Sequence, residues 1–383
     1  MLYRTISNRI KSDLDRKIVL LEGPRQCGKT TLSKSLYKDY TYFNYDDPEQ
    51  RAQMLKKLWR RDCECIIFDE IHKMPEWKRW LKGLYDTEGC RPRILVTGSA
   101  QLETFSNVGD SLAGRYFLHR LDPLDIRESV ECWGQSPEQS LLRILSFSGF
   151  PEPFLEGHAD YHRKWQKTHL DVIVRQDFLD LYAIKNLKNL EILLHLLRPR
   201  VGSSISYATL ANDIQVDQTS IKSWLLSLEK IYAIFKITPY HHNIARSLLK
   251  EPKYYFFDLT RAENPGGRLE NCVALCLLKA IHQLEDLSGW TAQLHYLRTK
   301  DGKELDFLVT INNQPYLAIE VKTTDTSPSN SFQHFSKFLP EYTEKIQLVQ
   351  HIDREYDTSD GIKIRNLANY LAKLDLHKYV ATT

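Results

Sequence analysis

The sequence predicts an α/β protein with a parallel sheet in its first third and a second α/β region near its end. Three observations predict this class. Short apolar runs alternate with helical patterns over residues 17–121, as in strands joined by crossover helices. A glycine-rich loop at 22–31 stands between one such run and the next helix. Two strand-like runs, 304–311 and 315–322, flank a short polar turn.

Composition indicates a soluble globular protein of two or three domains. Of 383 residues, 42% are hydrophobic and 26% are charged, and the net charge is only +3. Residues 1–17 lack the apolar core of a signal peptide, and no run reaches the roughly 18 apolar residues of a membrane span. The seven cysteines are scattered, which favours core thiols. We therefore expect a cytoplasmic protein without a membrane partner.

The glycine-rich loop has the form G-x-x-x-x-G-K-[ST], with an apolar strand before it and a helical pattern after it. Loop N–H groups and a helix N-terminus bind phosphate in such an arrangement. We expect Lys29 to reach the terminal phosphates of ATP and the Thr30 hydroxyl to bind Mg²⁺. The predicted nucleotide-binding residues of the loop are Gly23, Pro24, Arg25, Gln26, Cys27, Gly28, Lys29, Thr30 and Thr31.

An acidic pair follows the predicted strand 64–68. In a sheet with such a loop, Asp69 is expected to hold Mg²⁺ together with Thr30. Glu70 is then expected to activate the attacking water as general base. The strand 94–97 leads to Ser99, our first candidate for a polar group near the terminal phosphate, with Thr97 the second.

Arg115 follows this region in the segment 111–115. An arginine there is a candidate finger that acts on the nucleotide of a neighbouring subunit. The alternative, a surface arginine on a loop, is equally compatible with the sequence. A homo-oligomer is left open in the same way.

These motifs together resemble one group of proteins. Residues 23–32, 68–75, 97–99, 111–115 and 148–152 are similar to prokaryotic AAA+ superfamily ATPases that carry a C-terminal domain of unknown function with a restriction-endonuclease-like core. The resemblance covers nearly the whole chain. It implies a P-loop AAA+ parallel-sheet core at 1–127.

The middle of the chain is predicted to be helical at 128–200 and a winged helix at 201–262. Arg175 is either a second nucleotide sensor or a partner in a structural ion pair. In the winged helix, two helices precede two strand-like runs joined by a basic connection, which begins at His241 and includes Lys253. This module either enters a DNA groove or packs against the ATPase and relays its state.

The last region, 263–383, is predicted to contain a hairpin centred on Asn313. Residues whose numbers sum to 626 then lie opposite each other, so Asp306 faces Glu320 and Glu304 faces Lys322. All four charged side chains share one face, because strand side chains alternate. The side chains of the other face are apolar, so we expect this face to pack in the core. Helices are expected at 332–339 and 364–374.

Two facing carboxylates repel unless a cation joins them, and hard oxygen ligands favour Mg²⁺ or Mn²⁺. Together with Glu270 upstream, Asp306, Glu320 and Lys322 resemble the PD-(D/E)XK nuclease site, with Leu305 where that motif has proline. The resemblance implies metal ligation by the three carboxylates and a water-activating lysine. A cross-strand pair of Glu304 with Lys322 is the structural alternative.

The sequence thus predicts an ATP-hydrolysing protein coupled to a metal-dependent nuclease-like domain that acts on DNA. The alternative is a nucleotide-driven switch whose last domain binds a partner or nucleic acid without cleavage. Phosphoryl transfer to a small molecule is a weaker third alternative, because Glu70 favours water as the nucleophile. The DNA sequence preference and the pathway are not predicted.

Overall fold

The structure is a computed structural model that describes residues 4–99, 112–171, 187–240, 251–299 and 302–380. Arg175, residues 241–250 of the basic connection and residue 111 of the arginine segment lie outside these residues. The chain divides into two compact units. The first contains Met1–Pro123 and Lys230–Tyr232, and the second contains Leu124–Glu229 and Ala233–Thr383.

The first unit is a five-stranded parallel sheet in the order β2-β3-β4-β1-β5. Its strands are β1 Ile18–Glu22, β2 Tyr40–Asn44, β3 Cys65–Asp69, β4 Arg93–Gly98 and β5 Tyr116–Arg120. Its helices are α1 Ser7–Leu14, α2 Lys29–Leu36, α3 Pro48–Leu55 and α4 Trp77–Glu88. The predicted parallel α/β core is therefore confirmed.

Apolar side chains from both the strands and α4 build the core of this unit. Every residue of β1 and of β3 is buried, as expected for central parallel strands. Phe43, Trp59, Phe68 and Trp80 form a chain of aromatic contacts with ring centroids 5.3 to 6.3 Å apart. Because these strands pair in parallel, the carboxyl ends of β1, β3 and β4 lie at one edge of the sheet.

The second unit begins with helices and ends with a large mixed sheet. Its helices are α5 Ile126–Trp133, α6 Pro137–Phe147, α7 Pro151–Glu156, α8 Ala159–Asp171, α9 Leu187–Leu197, α10 Tyr207–Ile214, α11 Gln218–Lys230, α12 Pro265–Ser288, α13 Asn330–Phe335 and α14 Leu367–Leu371. Its strands are β6 Ile234–Pro239, β7 Lys253–Phe256, β8 Ala292–Arg298, β9 Glu304–Ile311, β10 Gln314–Lys322, β11 Glu344–Val349, β12 Tyr356–Asp357 and β13 Ile362–Asn366.

All eight strands belong to one sheet, in the order β12-β13-β11-β10-β9-β8-β6-β7. The strands β6 and β7, which the sequence assigned to the winged helix, continue the sheet of the last region because β6 pairs in parallel with β8. The proposed boundary at 262/263 therefore falls between strands of one sheet. Helix α12 contacts β7, β8, β9 and β10. Helix α13 covers the other face through Phe332 and Phe335.

The predicted helix at 364–374 is partly wrong. Ile364 lies in β13, which pairs in parallel with β11, and the helix α14 begins only at Leu367. Alternating burial along Ile362, Lys363 and Ile364 is the strand pattern that the helical interpretation missed. All seven cysteines lie in the described part of the chain and are free thiols. Among the described helices, none is both long and apolar enough to cross a membrane.

Candidate functional sites

The loop between β1 and α2 requires its first glycine. Gly23 has φ 148°, and a Cβ there would lie 2.3 Å from the carbonyl oxygen of Leu121. Gly28 is left-handed at φ 97°, and α2 begins at the next residue. The predicted strand, loop and helix are thus present, with the loop at the carboxyl end of the strand.

The ammonium group of Lys29 is buried inside this loop. Its Nζ donates to the carbonyl oxygens of Gly23 at 2.8 Å and Pro24 at 2.7 Å. Arg25 is half-buried, while Gln26 in the loop and Thr31 on the helix are exposed. The lysine is therefore held by neutral carbonyl groups. The charged oxygen atoms of a phosphate are stronger hydrogen-bond acceptors than these carbonyl oxygens.

Arg4 holds the same loop from behind. Its guanidinium is buried and donates to the carbonyl oxygen of Cys27 at 2.9 Å and to that of Asp122 at 2.7 Å. No sequence pattern indicates this contact, because Arg4 lies in a polar N-terminal segment. Burial raises the pKa of the Cys27 thiol, which therefore stays protonated.

Three hydroxyl groups converge on Asp69 at the end of β3. Thr30 Oγ1 donates to Asp69 Oδ2 at 2.7 Å, and Tyr42 OH donates to the same oxygen at 2.8 Å. Thr97 Oγ1 donates to Asp69 Oδ1. The structure thus brings the two predicted Mg²⁺ ligands, Thr30 and Asp69, into direct contact. Thr97, the second candidate for a phosphate contact, donates to this carboxylate, and its contact with phosphate stays a prediction.

Tyr42 is a site residue that the sequence reasoning missed. Strand β2 pairs with β3, so Tyr42 lies one strand away from the acidic pair. Burial, and then the charge of Asp69, raises the pKa of the Tyr42 phenol, so it remains a donor. The available signal was a tyrosine in the aromatic-rich strand that precedes the acidic pair.

Glu70 lies beside Asp69 in a left-handed conformation, with φ 57° and ψ 25°. This conformation is uncommon for a residue other than glycine and is found at functional sites. Ser99 Oγ donates to Glu70 Oε2 at 3.2 Å, so the predicted phosphate sensor contacts the predicted base. Burial raises the pKa of Glu70 although Lys29 opposes the shift.

His72 is a second residue that the sequence did not single out. Its Nε2 lies 3.6 Å from Glu70 Oε2. Burial, and then the positive charges of Lys73, Lys29 and Arg25, lowers the pKa of His72 to about 4. The imidazole is therefore neutral at pH 7 and lies beside the Glu70 carboxylate without neutralising it.

Arg115 lies at the opposite edge of the sheet. Its carbonyl oxygen accepts from the N–H of Ile18, the first residue of β1, whereas the phosphate loop follows Glu22. Four residues of strand separate these edges, about 13 Å. Its Nε donates to Asp86 Oδ1 at 2.8 Å. This ion pair is the surface role that the sequence left open, and the finger role stays a prediction.

The second cluster of charges lies in the eight-stranded sheet and centres on Lys253 of β7. This side chain is fully buried. Its Nζ lies 3.3 Å from Glu270 Oε1 of α12 and also contacts Glu304 Oε1 of β9. Tyr255 OH donates to Glu270 Oε1 at 2.6 Å. The sequence placed Lys253 in the basic connection of the winged helix, which is wrong for this residue because it is buried in β7. Tyr255 was not among the predicted site residues.

Burial and the neighbouring charges shift the pKa values of the groups in this cluster. Burial opposes the charge on Lys253, but Glu270, Asp306 and Glu304 outweigh it, so the pKa of Lys253 is raised. Burial raises the pKa of Glu270 against the effect of Lys253. Burial, then the Glu270 and Glu320 carboxylates, raises the pKa of Asp306 well above its usual range.

The hairpin β9–β10 follows the predicted register over most of its length. Leu317 pairs with Val309 and Ile319 with Phe307, as the sum of 626 requires. Next to the turn, Gln314 pairs with Ile311, so the register there differs by one residue. A bulge between Pro315 and Leu317 accounts for this shift. The two turn residues are left-handed asparagines.

Beyond the regular ladder, the charged end departs from the prediction. Asp306 Oδ2 accepts from the backbone N–H of Val321 at 2.8 Å. Glu304 pairs with Lys253, and Lys322 donates to Glu320 Oε1 at 2.7 Å. The structural alternative, a cross-strand ion pair of Glu304 with Lys322, is therefore wrong. The reason is a lysine from a distant strand that the hairpin alone does not reveal.

Glu320 is buried at the end of β10. Its Oε1 accepts from Lys322 and, at 3.1 Å, from Ser329 Oγ. Its Oε2 is buried and has no hydrogen-bond partner within the described residues. This oxygen is the feature that fits a cation. Yet across the described ranges no group of three or more His, Cys, Asp or Glu side chains is arranged to hold a metal ion.

Comparison with known families divides the chain into three matches. The family described as an AAA domain matches residues 15–130. A domain of unknown function (DUF8612) matches residues 138–260, and another (DUF4143) matches residues 265–370. The first unit therefore contains an AAA-type ATPase domain, and ATP is its nucleotide.

Similar proteins extend over most of the chain. An uncharacterized protein of Mycobacterium tuberculosis is 26% identical over 381 residues, covering 94% of this chain and 82% of its own. An uncharacterized protein of Methanocaldococcus jannaschii is 23% identical over 362 residues, covering 85% and 79%.

Solved structures are similar at low TM-scores. A variant of Thermotoga maritima RuvB has a TM-score of 0.33 and 16% identity, covering 64% of this chain and 94% of its own. A DNA replication initiation factor has a TM-score of 0.27 and 16% identity, covering 58% and 86%.

Proposed function

We propose that the chain is an ATP-hydrolysing AAA+ switch that drives a nuclease-like C-terminal domain acting on DNA. The observation that carries the first half is the convergence of Thr30, Tyr42 and Thr97 on the buried Asp69 carboxylate, next to Glu70. Hard oxygen atoms of a carboxylate and a hydroxyl are the ligands that Mg²⁺ prefers, so these residues fit the ion.

Each residue has a distinct task in this proposal. Lys29 exchanges the carbonyl oxygens of Gly23 and Pro24 for terminal phosphate oxygens, while the loop N–H groups bind the rest of the phosphate chain. Thr30 and Asp69 hold Mg²⁺, which supplies charge neutralisation on the phosphates. Glu70, oriented by Ser99 and with His72 beside it, accepts the proton of the attacking water.

Phosphate release from ATP tests the hydrolytic half. Lys29→Ala is expected to abolish release, because the terminal phosphate loses its cation. Lys38→Ala is the matched control, since Lys38 is an exposed lysine of the same unit outside the loop. Equal rates for wild type and Lys29→Ala would contradict ATP hydrolysis at this site.

The proposal for the C-terminal domain has two forms. In the first, Asp306 and Glu320 support metal-dependent cleavage of DNA with Lys322 beside the attacking water, and the winged-helix module at 201–262 couples it to ATP. In the second, the domain binds DNA or a partner without cleavage. The contact of Lys253 with Glu270 and Glu304 supports the second form. Glu270 is the third predicted metal ligand, and here its partner is an ammonium group.

A nicking assay separates the two forms. Plasmid DNA is incubated with wild type and Asp306→Asn in Mg²⁺ or Mn²⁺, with and without ATP. Cleavage predicts nicks that Asp306→Asn abolishes while ATP hydrolysis continues. The control is Asp353→Asn, an exposed aspartate of the same unit. The non-cleaving form predicts no nicks from any of the three proteins.

A further inference from the structure

The cluster around Lys253 brings together charges from four elements. Lys253 comes from β7, Glu270 from α12, Glu304 and Asp306 from β9, and Glu320 from β10. A sequence that resembles a metal-dependent nuclease predicts a divalent cation among these carboxylates. The structure instead has a lysine ammonium between Glu270 and Glu304.

Lys253 is fixed by its backbone as well as by its ion pairs. It pairs with Ile237 of β6 on one side, and an isolated bridge joins it to Ser204 on the other. Its side chain is 1% exposed, whereas that of Lys322 is 33% exposed. A side chain held in this way cannot swing into water to admit another cation.

We propose that the Lys253 ammonium is the resident cation of this cluster and stands in for the divalent metal, so that Glu270 and Asp306 bind no Mg²⁺ or Mn²⁺. The inference rests on the proposed nuclease-like domain and selects its non-cleaving form.

The ligand geometry supports this proposal. Glu270 Oε1 already accepts from both Lys253 and Tyr255, and Asp306 Oδ2 accepts from the N–H of Val321. A divalent ion would have to break these contacts and lie close to a buried ammonium that repels it. The Oε2 of Glu320 is buried without a hydrogen-bond partner within the described residues, but one carboxylate oxygen holds Mg²⁺ more weakly than the three carboxylates of the predicted site would.

Manganese binding by the full-length protein tests the inference. Free Mn²⁺ is measured by electron paramagnetic resonance without nucleotide, for wild type and Asp306→Asn. We expect identical titrations, because any Mn²⁺ held by the ATPase domain is common to both proteins. Wild-type binding that Asp306→Asn removes would overturn the proposal, as would Asp306-dependent nicking of DNA.

Replacing Lys253 gives the converse test. Lys253→Met removes the ammonium but keeps an apolar chain of similar length, and it is expected to gain a Mn²⁺ site at least about tenfold tighter than any in wild type. The added change Asp306→Asn should remove that site. Lys253→Arg keeps a cation and should gain none. The matched control Lys236→Met, on the exposed side of the neighbouring strand β6, should also gain none.

Circular dichroism shows whether each variant folds. A folded Lys253→Met protein without a new Mn²⁺ site would overturn the proposal. If Lys253→Met does not fold, the comparison of wild type with Asp306→Asn decides alone. Phosphate release from ATP by the same wild-type preparation is measured in parallel, so that failure of the ATPase proposal is recognised separately.

Discussion

The nucleotide site and the Lys253 cluster both hold carboxylates away from bulk water, but different donors bind these carboxylates. Asp69 is held by the hydroxyl groups of Thr30, Tyr42 and Thr97, which are neutral donors. Glu270 and Glu304 are held by an ammonium group. Hydroxyl donors leave the negative charge uncompensated, so Asp69 retains its attraction for a cation. An ammonium removes that attraction.

The comparison teaches that carboxylates alone do not identify a metal site. The kind of donor around them decides whether they attract a further cation. At Asp69, a metal ion would find a charge that the described residues do not neutralise through an ion pair. At Glu270, it would have to compete with a buried lysine.

The largest expected effect is on catalysis at the first site. Glu70→Gln removes the general base and should lower the rate of phosphate release by about 10² to 10⁴. Binding of a fluorescent ATP analogue should persist, because the loop and Lys29 are unchanged. Glu49→Gln, an exposed glutamate of α3, is the control and should hydrolyse ATP at the wild-type rate. A Glu70→Gln protein as active as this control would remove Glu70 from the chemistry.

The next largest effect is on stability at the second site. Lys253→Ala leaves the half-buried carboxylates of Glu270 and Glu304 without their cation and should lower the free energy of unfolding by about 3 kcal/mol. Chemical denaturation followed by circular dichroism measures this change. Lys236→Ala, whose side chain is partly exposed, should cost at most about 1 kcal/mol. Equal losses in the two variants would mean that Lys253 does not hold the cluster.

Tyr42→Phe should have a smaller effect than Lys253→Ala, because it removes one neutral donor from a carboxylate that keeps two others. The expected loss is about 1.5 kcal/mol of unfolding free energy. Tyr40→Phe, two residues earlier on the same strand, is the control and should change stability little. A loss in Tyr42→Phe as large as that in Lys253→Ala would contradict the contrast between the two sites.

The pH dependence of ATP hydrolysis gives a finer test. Glu70 must be ionised to act as base, and burial raises its pKa above the ordinary 4.5. Activity should therefore fall as the pH is lowered, beginning at a pH above that of an exposed glutamate. The rate of phosphate release at saturating Mg²⁺ and ATP measures this acid limb. A fall in activity that begins only at or below pH 4.5 would show that burial does not raise the pKa of Glu70.

The smallest expected effect is at Arg115. Its ion pair with Asp86 is partly exposed, so Arg115→Ala should cost about 1 kcal/mol or less. At each protein concentration over a wide range, Arg115→Ala and wild type should release phosphate at the same rate per protein molecule. A drop by orders of magnitude that appears only where the protein associates would instead establish Arg115 as a finger acting between subunits.

Local patterns predicted much of the fold and part of both sites. The glycine loop and the pair Asp69–Glu70 follow from short motifs, and the hairpin register follows from the two-residue period of strands. Each depends on neighbours a few residues away, which is why the sequence reveals it.

Contacts over long separations could not be predicted. Lys253 is one of 52 basic residues and meets Glu304 only because β7 joins the edge of the sheet through β6. Tyr42 meets Asp69 through pairing of neighbouring strands. Arg4 reaches the phosphate loop from the N-terminal segment without any motif. In each case the tertiary fold, and not the local pattern, selects the partner.

The shared eight-stranded sheet also limits how the protein can be divided. A fragment that starts at residue 263 would lose β6 and β7 and leave the edge of β8 unpaired. An unpaired edge strand is a template for aggregation with other chains. The same cut would separate Glu270 and Glu304 from Lys253. The smallest expressible piece that contains the C-terminal sheet should therefore begin before β6.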